Sequence, residues 1–435
     1  MPVGSKSVGA CSDRPRPASW RPAPPPGAFG DPEGSRLAHN RNEAQFSRYR
    51  AWQWIKHLAL ADYVWPWANK VGSRVGTIFV VDLFAGRGTY EDVLTGKLTD
   101  GSPPIFGRQA QRYTEKFRGR ALKVICVERN RKNAEALRER VGGFGELVTV
   151  LRGSFTRHLD EILATIGNAP ALILFDPIGL KPIAAETIRP LLNRTGKTDV
   201  FMVLHFKVIH RTAGMLLDTG HADPNIPSAA RAAAMLDAVF GSPRWRFIAK
   251  SPMYKTVEAR ERAYLDVYFE EVLGRYDWRC AYPVRAKYLS KVQYWLVHAS
   301  CHLDAHLLMN DEIVKLQEHL FVKTYEDVNA LPGIAQAEWE ANIAHQEGRL
   351  GERILTLLAN TPNHTMQFGE LRKALLPEFF GAVKQGAYSR AAKALLTANR
   401  LDREKEGVRP ALDPTERLSL PVPPPAPARR AASRH

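Results

Sequence analysis

The sequence predicts a doubly wound α/β domain, with a mostly parallel sheet and a final antiparallel strand, followed by a small helical module. Two observations carry this. Between about residues 77 and 240, short apolar runs alternate with longer amphipathic segments, the pattern of strands and helices wound around a parallel sheet. Two later apolar runs are joined by a link too short for a crossover helix, so they must pair antiparallel.

The parallel strands are expected over Thr77 to Leu83, Leu122 to Glu128, Leu147 to Arg152, Ala171 to Asp176 and Asp199 to Phe206, each short and apolar enough to be buried on both faces. Helical spacing recurs in Ala134 to Val141, Leu159 to Ile166, Ile183 to Leu192 and Ala229 to Phe240. The late pair is Trp278 to Val284 and Val292 to Ala299, with the basic link Arg285-Ala286-Lys287-Tyr288-Leu289-Ser290-Lys291 between them.

This gives an α/β domain over residues 46–305 and a helical linker over 306–348. A unit over 349–415 follows, with Arg353 to Leu358, Phe368 to Leu375 and Tyr388 to Leu396 as short helices before the basic turn Asn399-Arg400-Leu401-Asp402-Arg403. That order suggests a winged-helix-like module. Its third helix, with Arg390 and Lys393, either faces a nucleic-acid groove or makes protein contacts only. Residues 1–45, rich in Pro and Arg, and the basic tail 416–435 bury too little apolar surface to order themselves and are expected to be disordered.

At 435 residues, 45% hydrophobic and 24% charged, the chain has the composition of a soluble protein of two or three domains. No stretch approaches the roughly 20 apolar residues that span a bilayer, so no membrane role is expected. Met1 to Ala10 lack an apolar secretory segment, and a cytoplasmic location is expected. Cys11, Cys126, Cys280 and Cys301 show neither CxxC nor Cys/His ligand spacing, so buried free thiols and no metal are expected. The net charge of +16 favours a polyanionic partner, nucleic acid above all, although part of the excess sits in the two ends.

The stretch Asp82-Leu83-Phe84-Ala85-Gly86-Arg87-Gly88 places an acid at the end of the first strand and a tight Gly-x-Gly turn after it. Glycines there permit positive φ and close backbone approach, and Asp82 can hydrogen-bond an adenosyl cofactor. Asp82, Phe84, Ala85, Gly86 and Gly88 are therefore candidate cofactor residues, with a purely structural turn as the competing explanation. A dinucleotide would call for a third glycine under its pyrophosphate, where this chain has Glu91. S-adenosylmethionine fits better than NAD or FAD.

Cys126-Val127-Glu128-Arg129-Asn130 ends the second strand, where Glu128 can hold the ribose hydroxyls with Asn130 beside it, unless it is an ordinary strand-end acid. The interval from Asp82 to Glu128 exceeds the roughly 20 residues of a minimal βαβ unit. The insertion holds Asp100-Gly101-Ser102-Pro103-Pro104, a turn expected over cofactor or substrate, which makes Ser102 a candidate contact. Asp176-Pro177-Ile178-Gly179 ends the fourth strand at the edge where such sheets hold ligands. Asp176 can orient a target amine or take its proton while Pro177 stiffens the loop, though a plain exit turn is the alternative. Lys56, His57 and Arg211 are candidate substrate contacts, with His205 and His210 as weaker ones.

Taken together, Lys56-His57, the Asp82 to Gly88 loop, Gly101-Ser102-Pro103, Glu128, Asp176-Pro177-x-Gly179 and Arg211 resemble the three-Cys-motif partner protein family, TcmP, over about residues 50 to 325. The resemblance implies a class I, Rossmann-like methyltransferase fold and a partner protein with a cysteine motif like that of radical-SAM enzymes, and it leaves the reaction open. Asp176-Pro177 is also similar to the Asp-Pro-Pro-Tyr loop of methyltransferases that modify base amines, but Ile178 and Gly179 replace the proline and the stacking aromatic. The expected function is a methyltransferase acting on nucleic acid, with an exocyclic base amine as a target the motif permits. The alternative is a non-catalytic adapter for the three-Cys-motif partner.

Overall fold

The computed structural model describes residues 51–91, 98–177, 179–217, 227–285, 290–326, 333–404 and 412–421. The leader, Ile178, Lys287 with the rest of the 286–289 link, and the tail from 422 lie outside the described residues.

The chain opens with helix α1 (Ala51–Val71) and strand β1 (Thr77–Asp82), then a small hairpin of β2 (Thr89–Glu91) and β3 (Leu98–Asp100). Next come α2 (Ser102–Lys116), β4 (Ala121–Glu128), α3 (Arg131–Val141), β5 (Val148–Arg152), α4 (Leu159–Ile166), β6 (Ala171–Phe175), α5 (Ala185–Leu192) and β7 (Thr198–Leu204). Four helices follow, α6 (Phe206–Leu217), α7 (Pro227–Phe240), α8 (Trp245–Lys250) and α9 (Val257–Glu271), before β8 (Trp278–Arg285) and β9 (Val292–Ser300). The rest is α10 (Leu303–Glu326), α11 (Ile334–Ala359), β10 (Thr365–Gln367), α12 (Phe368–Phe379), α13 (Gln385–Thr397), β11 (Asp402–Arg403) and β12 (Arg417–Ser419).

The main sheet has the order β5-β4-β1-β6-β7-β9-β8. Its first five strands are parallel, and β9 inserts between β7 and β8 and runs against both. This is the Rossmann-like methyltransferase layout that the sequence predicts.

Both faces of the sheet are covered, because successive side chains of a strand point to opposite sides. In β1, Phe79 and Val81 join the apolar layer under α4, α5, α7 and α9, while Ile78 and Val80 join the layer under α1, α2 and α10. At the amino-terminal end of the strands the buried Arg194 guanidinium donates to the carbonyls of Gly167 and Ala169, both at 2.6 Å, tying two turns together.

Three boundaries differ from the sequence expectation. Met309, Ile313, Leu316 and Leu320 of α10 pack into the layer beside α1, so this segment is a structural helix of the first domain and not a linker. Its other sides are buried as well, Leu307 against the second unit and Val314, Phe321 and Tyr325 against Trp339 of α11, so it carries no clean amphipathic stripe to mark it as part of a core. Helix α11 runs unbroken across residue 348, and β12 carries the second unit to Ser419, past the expected end at 415.

That second unit packs α11, α12 and α13 against a three-stranded antiparallel sheet, β10-β12-β11, around Leu350, Ile354, Phe368, Leu371, Tyr388 and Leu418. It is fastened to α10, since Asn310 donates to the Val383 carbonyl (2.9 Å) and accepts from the Gly381 amide (2.7 Å). No described helix is long and apolar enough to cross a membrane.

Candidate cofactor and transfer site

Register places three carboxylates in one crevice. Asp82 ends β1 opposite Cys126 of β4 on one side and Leu174 of β6 on the other. Glu128 and Asp176 each lie two residues further on, so they flank Asp82 at the carboxyl ends of adjacent strands, about 4.8 Å apart in strand spacing. Tyr90, just after the glycine turn, sits among all of them and interacts electrostatically with Lys56, Asp176, Asp82 and Glu128.

Asp82 is fully buried. Its Oδ1 accepts from the Phe84 amide (3.1 Å) and its Oδ2 from the Ser102 hydroxyl (2.6 Å). Burial pushes its pKa up to about 6, and these two hydrogen bonds work against that rise. Asp82 thus fastens the loop from beneath instead of facing a ligand. Ser102 begins α2 and serves as its strut, which corrects the expectation of a turn lying over the substrate.

The loop then crosses the end of β4. Ala85 N donates to the Val127 carbonyl (3.0 Å) and Gly86 N to Glu128 Oε2 (3.0 Å). The other Glu128 oxygen accepts from the Asn130 amide (2.6 Å). Each carboxylate oxygen therefore keeps a further acceptor site for a ligand hydroxyl. Gly86 and Gly88 have φ of 67° and 79°, the left-handed region that only glycine enters freely. Phe84 packs edge-on to Phe155 with ring centroids 5.6 Å apart, walling the same end of the crevice.

At the opposite wall, Asp176 is ion-paired with Lys56 of α1, which is almost wholly buried. Burial opposes the lysine's charge, yet Asp176, with Tyr90 and Tyr294 behind it, holds its pKa well above the usual range. His57 beside it packs on Tyr90 (5.2 Å between centroids), and burial followed by the Lys56 charge keeps it neutral.

The chain is similar to a DUF519-family protein from Legionella pneumophila, with 11% identity and a TM-score of 0.36 over 63% of this chain and 92% of that one. It is also similar to the O-methyltransferase TomG from Streptomyces achromogenes in complex with SAM (15%, 0.29, covering 57% and 80%) and to M. jannaschii TYW2 in complex with AdoMet (10%, 0.28, covering 58% and 76%). No family model matches the chain, and no curated protein does. The fold assignment rests on strand order, and the TcmP resemblance has no matching model behind it.

Of the residues singled out in the sequence, the crevice gathers Lys56, His57, Asp82, Phe84, Ala85, Gly86, Gly88, Ser102, Glu128, Asn130, Asp176 and Pro177. Asn130 is the N-cap of α3, its side chain accepting from Asn133 N (3.1 Å). Arg211 is exposed on α6. His210 sits 3.0 Å from Glu261, whose other oxygen takes the Trp295 indole proton, a packing arrangement behind the sheet. Arg390 is ion-paired with Glu347 of α11 across the helix pair, yet most of its side chain stays exposed.

Sequence reasoning passed over Tyr90 and Tyr294. Tyr90 directly follows the glycine turn and could have been found on that ground; Tyr294 enters only through the β7–β9 pairing, opposite His205 at 5.6 Å. The site also disfavours a diphosphate. Helix α2 opens with Ser102-Pro103-Pro104, so two of its first amides are missing, and the Gly101 amide is spent on the Gly88 carbonyl (2.8 Å).

Proposed function

We propose that this chain is an S-adenosylmethionine-dependent methyltransferase that acts on nucleic acid. The observation that carries it is the meeting of Asp82, Glu128 and Asp176 at the ends of three adjacent strands, around a glycine turn of positive φ. Glu128 would take the ribose hydroxyls, the Gly86 to Gly88 backbone would lie against the cofactor, and Phe84 would flank it. S-adenosylmethionine supplies an electrophilic methyl group when bound. Asp176 would accept a hydrogen bond from the target amine N–H, aiming its lone pair and receiving its proton, while its ion pair with Lys56 holds the carboxylate in place. The basic chain and the winged-helix-like reading of the second unit support a nucleic-acid substrate.

Calorimetric titration of S-adenosylmethionine and S-adenosylhomocysteine, beside a Glu128→Ala variant, tests the cofactor. A labelled-methyl screen over DNA and RNA then tests the substrate, and binding that rests on phosphate contacts must weaken steeply with salt. Absence of cofactor binding by the intact protein would refute the proposal. The adapter reading, in which the chain serves a three-Cys-motif partner, draws on one observation: Lys56 already neutralises Asp176. Methyl transfer by the isolated chain would remove it.

A further inference from the structure

Away from the crevice, three ligand-type side chains meet at the flank of the sheet. Cys280 of β8 and His298 of β9 stand opposite each other in antiparallel register, and His306 comes from the first turn of α10. The Cys280 sulfur and one ring nitrogen of each histidine lie within 4.8 Å of one another, and all three residues are buried. The His306 ring is stacked on Phe380 of the second unit at 4.7 Å and lies 5.6 Å from Trp278.

Two independent observations point to an occupant. The Nδ1 atoms of His298 and His306 are both buried without a hydrogen-bond partner, a condition that calls for an unseen ion or water. The tautomer of His298 is also set. Asp199 accepts from the Trp67 indole (2.6 Å) and from the Tyr63 hydroxyl, so the Tyr63 oxygen has spent its proton and must accept from His298 Nε2 at 3.0 Å. Nε2 therefore carries the ring proton and Nδ1 keeps a bare lone pair, the form in which histidine binds metal.

We propose that Cys280, His298 and His306 form a binding site for one zinc-class divalent ion, with Tyr63, backed by Asp199, as the residue that orients His298. A sulfur and two imidazole nitrogens are the donor set zinc prefers, with bonds of about 2.3 Å to sulfur and about 2.0 Å to nitrogen. Tetrahedral coordination brings such ligand atoms to within about 3.7 Å of one another, so the side chains draw in by roughly 1 Å on binding. The thiol loses its proton to solvent as the metal–sulfur bond forms, so one proton is released for each ion bound. Three protein ligands leave the fourth position open. This site stands independently of the cofactor reading.

The test uses tag-free, full-length protein dialysed against a chelator and titrated with cobalt(II). One equivalent per chain is expected, with a thiolate-to-cobalt charge-transfer band in the near ultraviolet and visible bands of tetrahedral intensity, all displaced by zinc. Cys280→Ala should abolish the charge-transfer band. Tyr63→Phe should keep the band and weaken binding by about 10–100-fold, the usual effect of losing an orienting partner. Folded wild-type protein that gives no charge-transfer band overturns the site, as does a band that survives in Cys280→Ala with its circular dichroism unchanged. Weak binding that is equal in wild type and variants overturns it too.

Discussion

Replacing Asp82 by Asn should stabilise the protein above pH 6 and leave it unchanged near pH 4. The folded chain raises the Asp82 pKa from the usual 3.8 to about 6, chiefly by burial. That rise is worth about 3 kcal/mol. The sign follows from proton binding: between about pH 4 and pH 6 the folded state holds the Asp82 proton more tightly than the unfolded chain, so stability falls as pH rises through this window. Above it the full cost is present, and below it none. Asn retains an oxygen for the Phe84 amide and can donate to the Ser102 hydroxyl, whose hydrogen rotates to suit. The variant should therefore gain up to about 3 kcal/mol at pH 7.5, or roughly 5–10 °C in Tm. Urea unfolding of both proteins at pH 4.5, 6 and 7.5 measures the difference directly. A difference that stays flat with pH, or shrinks as pH rises, refutes the account of a buried, charge-penalised Asp82.

Lys56→Met should destabilise the fold by about 3 kcal/mol, because it strands a half-buried carboxylate, and adding Asp176→Asn should recover most of that loss; additive effects in denaturant titrations would show that the pair is not coupled. Gly101→Ala builds a Cβ that meets the Gly88 carbonyl carbon and oxygen at 3.2 Å, backbone atoms that cannot step aside as a side chain would. The glycine turn should shift, costing about 1–2 kcal/mol of stability and a larger share of cofactor affinity, read by melting with and without S-adenosylhomocysteine. Glu128→Gln should weaken cofactor binding about tenfold, some 1.4 kcal/mol, with little change in Tm, since the residue is only half-buried; unchanged affinity by calorimetry would remove Glu128 from the site.

All seven strands of the main sheet are legible in the sequence to within two residues at either end. The central strands β1, β6 and β7 are apolar runs buried on both faces, whose composition leaves little else for them to be, while the edge strands β5 and β8 are only partly buried. Helix α1 is not legible, because Ala59, Leu60, Tyr63, Val64, Trp67 and Ala68 are buried on several sides and leave no clean polar stripe, while Pro66 reads as a breaker. Ser102-Pro103-Pro104 suggests a turn for a related reason. Proline is accepted in the first turn of a helix, whose amides are unpaired anyway, so the same residues can begin α2. The acids of the site were found from their place at strand ends. Their partners were not, since Lys56 reaches Asp176 only through packing across the fold. Cys280, His298 and His306 match no ligand spacing, because strand register and a helix crossing bring them together. Cys301, expected among the buried thiols, is exposed.

The pairing of Lys56 with Asp176 also fixes when the crevice can come into being. The two residues are 120 positions apart in the chain, and ribosomes add about 5–20 residues per second. Lysine 56 therefore waits about 6–24 s for its counter-ion to be synthesised. Its helix waits longer still, because α1 is sandwiched against β7, β8 and α10, which emerge later. During that interval a tryptophan-rich apolar segment has only β1, α2 and β4 to pack against, and the side that meets β7, β8 and α10 stays uncovered. Nascent chains arrested before β9 should hold it exposed, where a trigger-type chaperone would bind it and a protease would find it.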